Sequence, residues 1–527
     1  MDRRRFLQGL GTMGAAAVLS NGLANGRSTA AASSRPNIVL FFIDDMGWQD
    51  TSEPFHSKIT ELNRRYHTPN METLADEGMK FTQAYACALC SPTRVSLMTG
   101  FNAARHRVTN WTLRKNASPD PKHKTLEMPQ WNVNGLSPVP GIARTVHART
   151  FPMMLQKAGY RTIHVGKAHF GAVGTPGEDP THLGFDVNVA GHAAGGPGSY
   201  YGKYDFSAAW RDGDRIWDVP GLEKYHGKDT YLTEVLTHEA NEAVEAAVGE
   251  GKPFYLYMSH YAVHAPWEKD ERYYAKYKEQ GLNDWDATYA SMLEGMDQSL
   301  GDIRAHLERL GVADNTIFIF MTDNGQPSQA PRNTPLRGHK LTPYEGGTRV
   351  PLIVKWPGVV EAGSTCDDYL IAEDLFPTVL EMAGVHAPEQ IGGVIDGVSF
   401  VPLLKQAGGS TSKLEQDVQA VSSLGKMPKL SQKDRPLFWH FPHCYGHPPY
   451  SSVRQGDWKL IYFYHDQHYE LYNLAQDLGE RNNLYDARQD IADRLAATLH
   501  DHLVEVEADI PIAKKTGEPV PLPAPRS

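Results

Sequence analysis

Cysteine is scarce, with four in 527 residues. That excludes a disulfide-dense scaffold, even for an exported chain. Nowhere is there an apolar run long enough to span a bilayer, so no transmembrane segment can be read from the sequence. Net positive charge is missing as well. A formal charge of −10 argues against nucleic-acid binding, and any anionic ligand must be met by cations gathered locally. No repeat of fixed period is present, which sets aside solenoids and propellers. The composition is otherwise that of a globular protein, with apolar content enough for a large core.

Four apolar runs carry the architecture. Asn37–Ile43 and Thr316–Met321 are continuous and rich in β-branched and aromatic residues, as strands buried on both faces must be. Arg161–Val165 and Pro253–Ser259 read the same way. Between the last two strands, Met292, Met296, Leu300, Ile303, Leu307 and Leu310 recur at helical spacing, and Gly311 stops the stripe. The reading is α/β, with a large central, mostly parallel sheet flanked by helices. In such sheets the ligand crevice lies beyond the carboxyl ends of the strands.

Those ends are where the polar residues of catalytic type stand. Asp44-Asp45 follows the first run, Lys167-Ala168-His169 the second, His264 the third, and Asp323-Asn324 the fourth. Asp44, Asp45, Asp323 and Asn324 offer only oxygen ligands, which favours Ca²⁺, or Mg²⁺ as the alternative, over Zn²⁺. Cys90-Ser91-Pro92-Thr93-Arg94, closed by Thr99-Gly100, opens a short helix after the Lys80–Tyr85 strand. A nucleophile there meets free backbone N–H groups, and Arg94 returns a cation one turn later. Cys87-x-x-Cys90 also has the spacing of a redox pair or half a zinc site, but no second such pair exists, and Cys366 and Cys444 stand far apart.

Cys-x-Pro-x-Arg followed by Thr-Gly resembles the signature of the type I sulfatases, in the alkaline phosphatase superfamily. Thr68–Met71, Glu77–Thr82 and Glu345–Pro351 resemble further blocks of that family. The resemblance implies an alkaline-phosphatase-like fold with a smaller C-terminal antiparallel sheet plus helix. It implies a sulfuric ester hydrolase in which a maturation enzyme oxidises Cys90 to formylglycine, whose hydrate is the nucleophile. It places the metal ligands on Asp44, Asp45, Asp323 and Asn324, with the modified Cys90 beside them. It makes Arg94, Lys167, His169, His264 and Lys340 the cationic set, with His264 and Lys340 serving the leaving oxygen and His169 the release of sulfate. Ala168, Phe170 and Val263 depart from the usual tryptophan, leucine and proline, which bears on the shape of the pocket.

The expected organisation is a signal peptide over 1–32, a catalytic domain over 33–408, a polar linker or surface insertion over 409–433, and a C-terminal α+β subdomain with its tail over 434–527. Asp2-Arg3-Arg4-Arg5-Phe6-Leu7-Gln8 and the Gly/Ala-rich stretch after it resemble a twin-arginine signal, with Ala30–Ala32 suited to cleavage. A basic tail is the alternative. Twin-arginine export machinery would carry the folded protein to the periplasm or beyond. Arg105–Trp111, His192 and the stretch from His440 to Tyr450 are candidates for touching substrate, and with export they favour a sulfated carbohydrate over a steroid or small aryl sulfate. A phosphonate or phosphodiester hydrolase of the same superfamily and a non-catalytic glycan-binding relative are the competing readings.

Overall fold

Asn37–Ile43 is the middle of a nine-stranded sheet, and its side chains alternate between two cores. Val39, Phe41 and Ile43 enter the core covered by the helices Leu232–Gly249 and Asp284–Arg309. Ile38, Leu40 and Phe42 enter the opposite one, covered by Cys90–Thr99, Phe151–Lys157 and Leu375–Met382. A strand buried on both faces has no solvated side, which is why its sequence is apolar throughout. The computed structural model describes residues 35–330, 333–385, 394–406 and 434–526. The signal-like segment 1–32 and the 409–433 linker lie outside the described residues.

Around that strand the order is fixed by parallel pairing. Phe254–Ser259 lies on one side, then Arg161–Gly166 and Val187–Val189; Thr316–Thr322 lies on the other. Arg349–Lys355 pairs antiparallel with both Thr316–Thr322 and Met79–Tyr85, and Ser364–Cys366 and Leu370–Ile371 then run parallel to Met79–Tyr85. The sheet is therefore mostly parallel with one reversed strand. The carboxyl ends of the four apolar runs all finish on one edge.

The C-terminal part is a four-stranded antiparallel meander of Leu437–Phe441, Tyr450–Gln455, Trp458–Phe463 and His468–Asn473. One face packs through Trp439, Tyr450 and Ile461 onto Tyr85, Leu89 and Cys90. The other takes the helix Gln489–Glu505 through Leu495, Leu499 and Leu503. Lys459, fully buried, joins the meander to the turn that leads into the main sheet by an ion pair of 3.0 Å to Glu345, and pairs at 3.0 Å with Glu480 just beyond the meander. No helix among the described residues is long and apolar enough to cross a membrane.

Candidate active site

Cys90 is the first residue of the helix Cys90–Thr99, which is buried along its whole length and stops at Gly100 in the left-handed region (φ 72°). Pro92 occupies the first turn, where its missing N–H breaks no helical bond. The thiol is 2% exposed and lies with oxygens of Asp44 and Asp323 in a group whose ligand atoms are all within 4.8 Å of one another. Burial pushes the thiol pKa up, opposed by Lys167 and Lys340. None of the four cysteines forms a disulfide.

The acidic residues follow from their strand ends. Asp45 sits at φ 61°, a left-handed conformation that few residues other than glycine, asparagine and aspartate adopt, and its N–H donates to Asp323 Oδ1 at 3.2 Å. Asn324 Nδ2 donates to Asp45 Oδ1 at 2.7 Å, and Lys340 Nζ to the same oxygen at 2.6 Å. Lys167 Nζ donates to Asp44 Oδ2 at 2.5 Å. Burial raises the Asp44 carboxyl well above its ordinary range, with Asp323 adding to it. For Asp45 burial is outweighed by Lys340 and His264, and its pKa is lowered.

Two acceptors in this cluster are left over. Asp44 Oδ1 and Asn324 Oδ1 are buried with no hydrogen-bond partner. An orphaned buried oxygen costs about 1–3 kcal/mol, and three carboxylates with an amide oxygen form a hard donor set. The residues fit a divalent cation.

Arg94 differs from the sequence expectation in where its donors go. Its Nε and Nη2 both reach Asp323 Oδ2, at 3.0 and 2.8 Å, and Nη1 reaches Ser259 Oγ at 2.6 Å, with the guanidinium over the Phe42 ring. The fully buried cation orients Asp323. Ser259 was not singled out in the sequence, although it ends the strand that leads to His264.

The two histidines are held by backbone carbonyls. His169 Nε2 donates to Thr112 O at 2.8 Å, which leaves Nδ1 as the lone-pair nitrogen, buried and without a partner. His264 Nδ1 donates to Ala265 O at 2.7 Å, and its Nε2 lies 3.8 Å from Asp45 Oδ2. Burial first, then Lys167 and Arg94, lower His169 well below its usual value; burial and Lys340 pull His264 down to about 3. Both rings are neutral in this arrangement. A glycine-rich loop lies against them: a Cβ on Gly195 would stand 2.3 Å from His169 Cε1, and one on Gly196 2.7 Å from His264 Nδ1. Only glycine allows that approach. Thr112 acts through its carbonyl and carries no side-chain signal; the glycine-rich loop after His192 is visible in the sequence as one able to reach over the site, but its approach to both rings is not.

Several expected substrate contacts are taken up inside the fold instead. Arg105 pairs with Asp396 and Glu505, His106 bonds Ser96, and Arg107 reaches Glu507. His440 bonds Ser451 and the Asp509 carbonyl, and His443 bonds Thr109 and Asp120. His192 accepts or donates through Nδ1 to the Tyr261 hydroxyl at 3.0 Å. Trp111 and Tyr445 remain only partly buried.

The sulfatase family model matches residues 36–385, and the model for the C-terminal part of N-sulphoglucosamine sulphohydrolase matches residues 413–509. A sulfatase of Formosa agariphila is 30% identical over 557 aligned residues, covering 95% of this chain and 94% of that protein. The N-acetylgalactosamine-6-sulfatase of Mus musculus is 32% identical over 396 residues, covering 72% of this chain and 68% of the relative. Among solved structures, Ps i-CgsB in complex with k-i-k-neocarrahexaose superimposes with a TM-score of 0.69 at 25% identity, covering 89% of this chain and 92% of that one.

Proposed function

The chain belongs to the sulfatase family and is a hydrolase of sulfate esters; from that premise we propose that it desulfates a sulfated carbohydrate, using Cys90 as formylglycine and a divalent cation, Ca²⁺ rather than Mg²⁺. The carbohydrate half of the reading is supported by the N-acetylgalactosamine-6-sulfatase relatives and by the oligosaccharide-bound neighbour. The observation that carries the site assignment is the meeting of Cys90 with Asp44 and Asp323, beside two buried oxygens that lack partners.

Asp44, Asp45, Asp323 and Asn324 would hold the cation. Bound there it supplies a Lewis acid for the nucleophile and for the sulfate oxygens. Formylglycine at position 90 would supply, as its hydrate, two hydroxyls: one to attack sulfur, and a second whose deprotonation re-forms the aldehyde as the C–O bond to sulfate breaks, a step for which a thiol has no second hydroxyl. Arg94 keeps Asp323 in place, and Ser259 keeps Arg94 in place. Lys167 offsets the charge of Asp44. Lys340 and His264, both against Asp45, face the ester oxygen as it departs: Lys340 offers a proton donor, and His264 Nε2 carries the proton once the anionic substrate raises its basicity. His169 Nδ1 is a lone-pair nitrogen kept dry, suited to taking a proton from the position-90 hydroxyl so that sulfate leaves.

Export through the twin-arginine machinery to the periplasm or beyond, after cytoplasmic oxidation of Cys90 by a maturation enzyme, completes the reading. It is supported by the Arg3-Arg4-Arg5-Phe6-Leu7 segment. A sulfate-release assay with matured protein on N-acetylgalactosamine 6-sulfate and an ι-carrageenan oligosaccharide tests the substrate class. Turnover of 4-nitrophenyl sulfate with neither sugar sulfate cleaved would contradict it.

A further inference from the structure

We propose that Trp111 and Tyr445 form a platform that holds the sugar ring of the substrate while its sulfate ester faces Cys90. The proposal rests on the carbohydrate reading given above. The two rings meet edge to face, with centroids 5.6 Å apart and planes at 67°. Both, together with Leu341, are partly buried and pack against the cluster that contains Leu89 and Cys90. Leu341, the third member of this group, donates its N–H to Ala88 O at 2.7 Å, two residues before the nucleophile, which ties the aromatic pair to that side of the site. The C–H face of a pyranose suits an aromatic ring, which gives large contact area with little loss of conformational freedom.

The backbone around Trp111 ties this platform to the chemistry. Thr112, the next residue, holds His169 through its carbonyl and donates its N–H to Ser91 Oγ at 3.2 Å, one residue from Cys90. A ligand resting on Trp111 therefore sits against the residue that positions both the base and the nucleophile's neighbour.

Tyr445 is held with equal care, although it comes from the far end of the chain. His443 spans Thr109 at 2.8 Å and Asp120 at 2.7 Å, and the Cys444 N–H donates to Asp120 Oδ1 at 3.1 Å. Gly446 lies so near Leu341 that a Cβ there would stand 2.7 Å from Leu341 Cδ1. Leu341 itself is at φ 78°, beside Lys340. A leucine is rarely found there, and such strain persists where surroundings over-determine it. The contacts that clamp the 109–120 and 443–446 segments together thus fix the angle between the two rings.

The test compares kcat/KM on 4-nitrophenyl sulfate, whose acidic leaving group departs without its ring being held, with that on a chondroitin 6-sulfate tetrasaccharide and an ι-carrageenan hexasaccharide. Trp111→Ala and Tyr445→Ala should lower the ratio of sugar to aryl turnover at least about tenfold, mostly through KM. Trp111→Phe, which keeps a ring and the packing, should recover most of it. In the inactive Cys90→Ala protein, the productive sugar should shift tryptophan emission, and Trp111→Phe should abolish that shift. An unchanged ratio in folded Trp111→Ala or Tyr445→Ala protein, or an emission shift that survives Trp111→Phe, would overturn the platform. Wild-type protein that cleaves the aryl ester and neither sugar would instead overturn the carbohydrate reading.

Discussion

Cys87 and Cys90 are both buried, three residues apart, and their surroundings divide them. Burial and Glu373 push Cys87 up to about 12, whereas Cys90 faces Lys167 and Lys340. Cys90→Ala should abolish ester hydrolysis with the melting temperature little changed, because a buried alanine replaces a side chain of similar size; full activity in that variant would remove the nucleophile assignment. The histidines should fail at different steps, each with a loss of about 10²–10⁴ in rate. His169→Ala should show a burst of alcohol followed by slow turnover as sulfate release becomes limiting. For His264→Ala the penalty should shrink on 4-nitrophenyl sulfate, a leaving group that needs little protonation. Equal losses on sugar and aryl esters, with no burst in the His169 variant, would mean the roles are exchanged or absent. Asp323→Asn, which keeps a partner for Arg94, should lower bound Ca²⁺ and turnover together, measured by elemental analysis and assay; full metal content in the variant would contradict the ligand set.

Glu373 shows how pH should act through a single buried carboxyl. Burial, reinforced by Asp374, pushes it from 4.5 up to about 8. The folded state therefore keeps a proton that the unfolded chain has lost, so the contribution of Glu373 to stability is full below 4.5 and declines as pH rises from 4.5 to about 8. Glu373→Gln should flatten the fall in melting temperature across that window. A slope identical to wild type would show that Glu373 is ionised when folded.

At the scale of elements, the four apolar strands and the polar residues at their ends were legible because a strand buried on both faces has no choice but an apolar run, and parallel pairing brings such ends to one edge. The stripe from Met292 to Leu310 was legible for the same kind of reason, its period being helical. The reversed strand Arg349–Lys355 was not, since pairing direction leaves no trace in a short apolar segment. Equally hidden were contacts made by backbone atoms, such as the Thr112 carbonyl on His169, and the glycine loop against both histidines. Arg94 could be placed near the nucleophile from its spacing, but its engagement with Asp323 depends on a residue 229 positions away. Gly195→Ala tests the loop: its methyl group would collide with the His169 ring, so kcat should fall on sugar and aryl substrates alike while the protein stays folded. An unaffected kcat would mean that the ring moves freely.

For the whole molecule, the buried Lys459 matters most. It stands between Glu345 and Glu480, and Glu345 opens the turn after Lys340. With Lys459 nearby, Glu345 is held down to about 2, although burial and its neighbour raise Glu480 to about 7. Lys459→Ala would leave two carboxylates facing each other in a dry interface. Loss of one partner from such a cluster costs about 3–5 kcal/mol. Denaturant unfolding should register that loss, and activity should decline with it because the Lys340 segment is anchored to the same contact. Unchanged stability would show that the meander is held by its apolar face alone.

The most direct measurement is mass spectrometry of the tryptic peptide Phe81–Arg94 from protein produced with a maturation enzyme and alkylated after unfolding. Cys87, in the same peptide, serves as the internal control. The expected result is alkylated Cys87 beside an unalkylated aldehyde at position 90 that reacts with a hydrazine, in protein that releases sulfate from its esters. Active protein in which both cysteines are alkylated would contradict it.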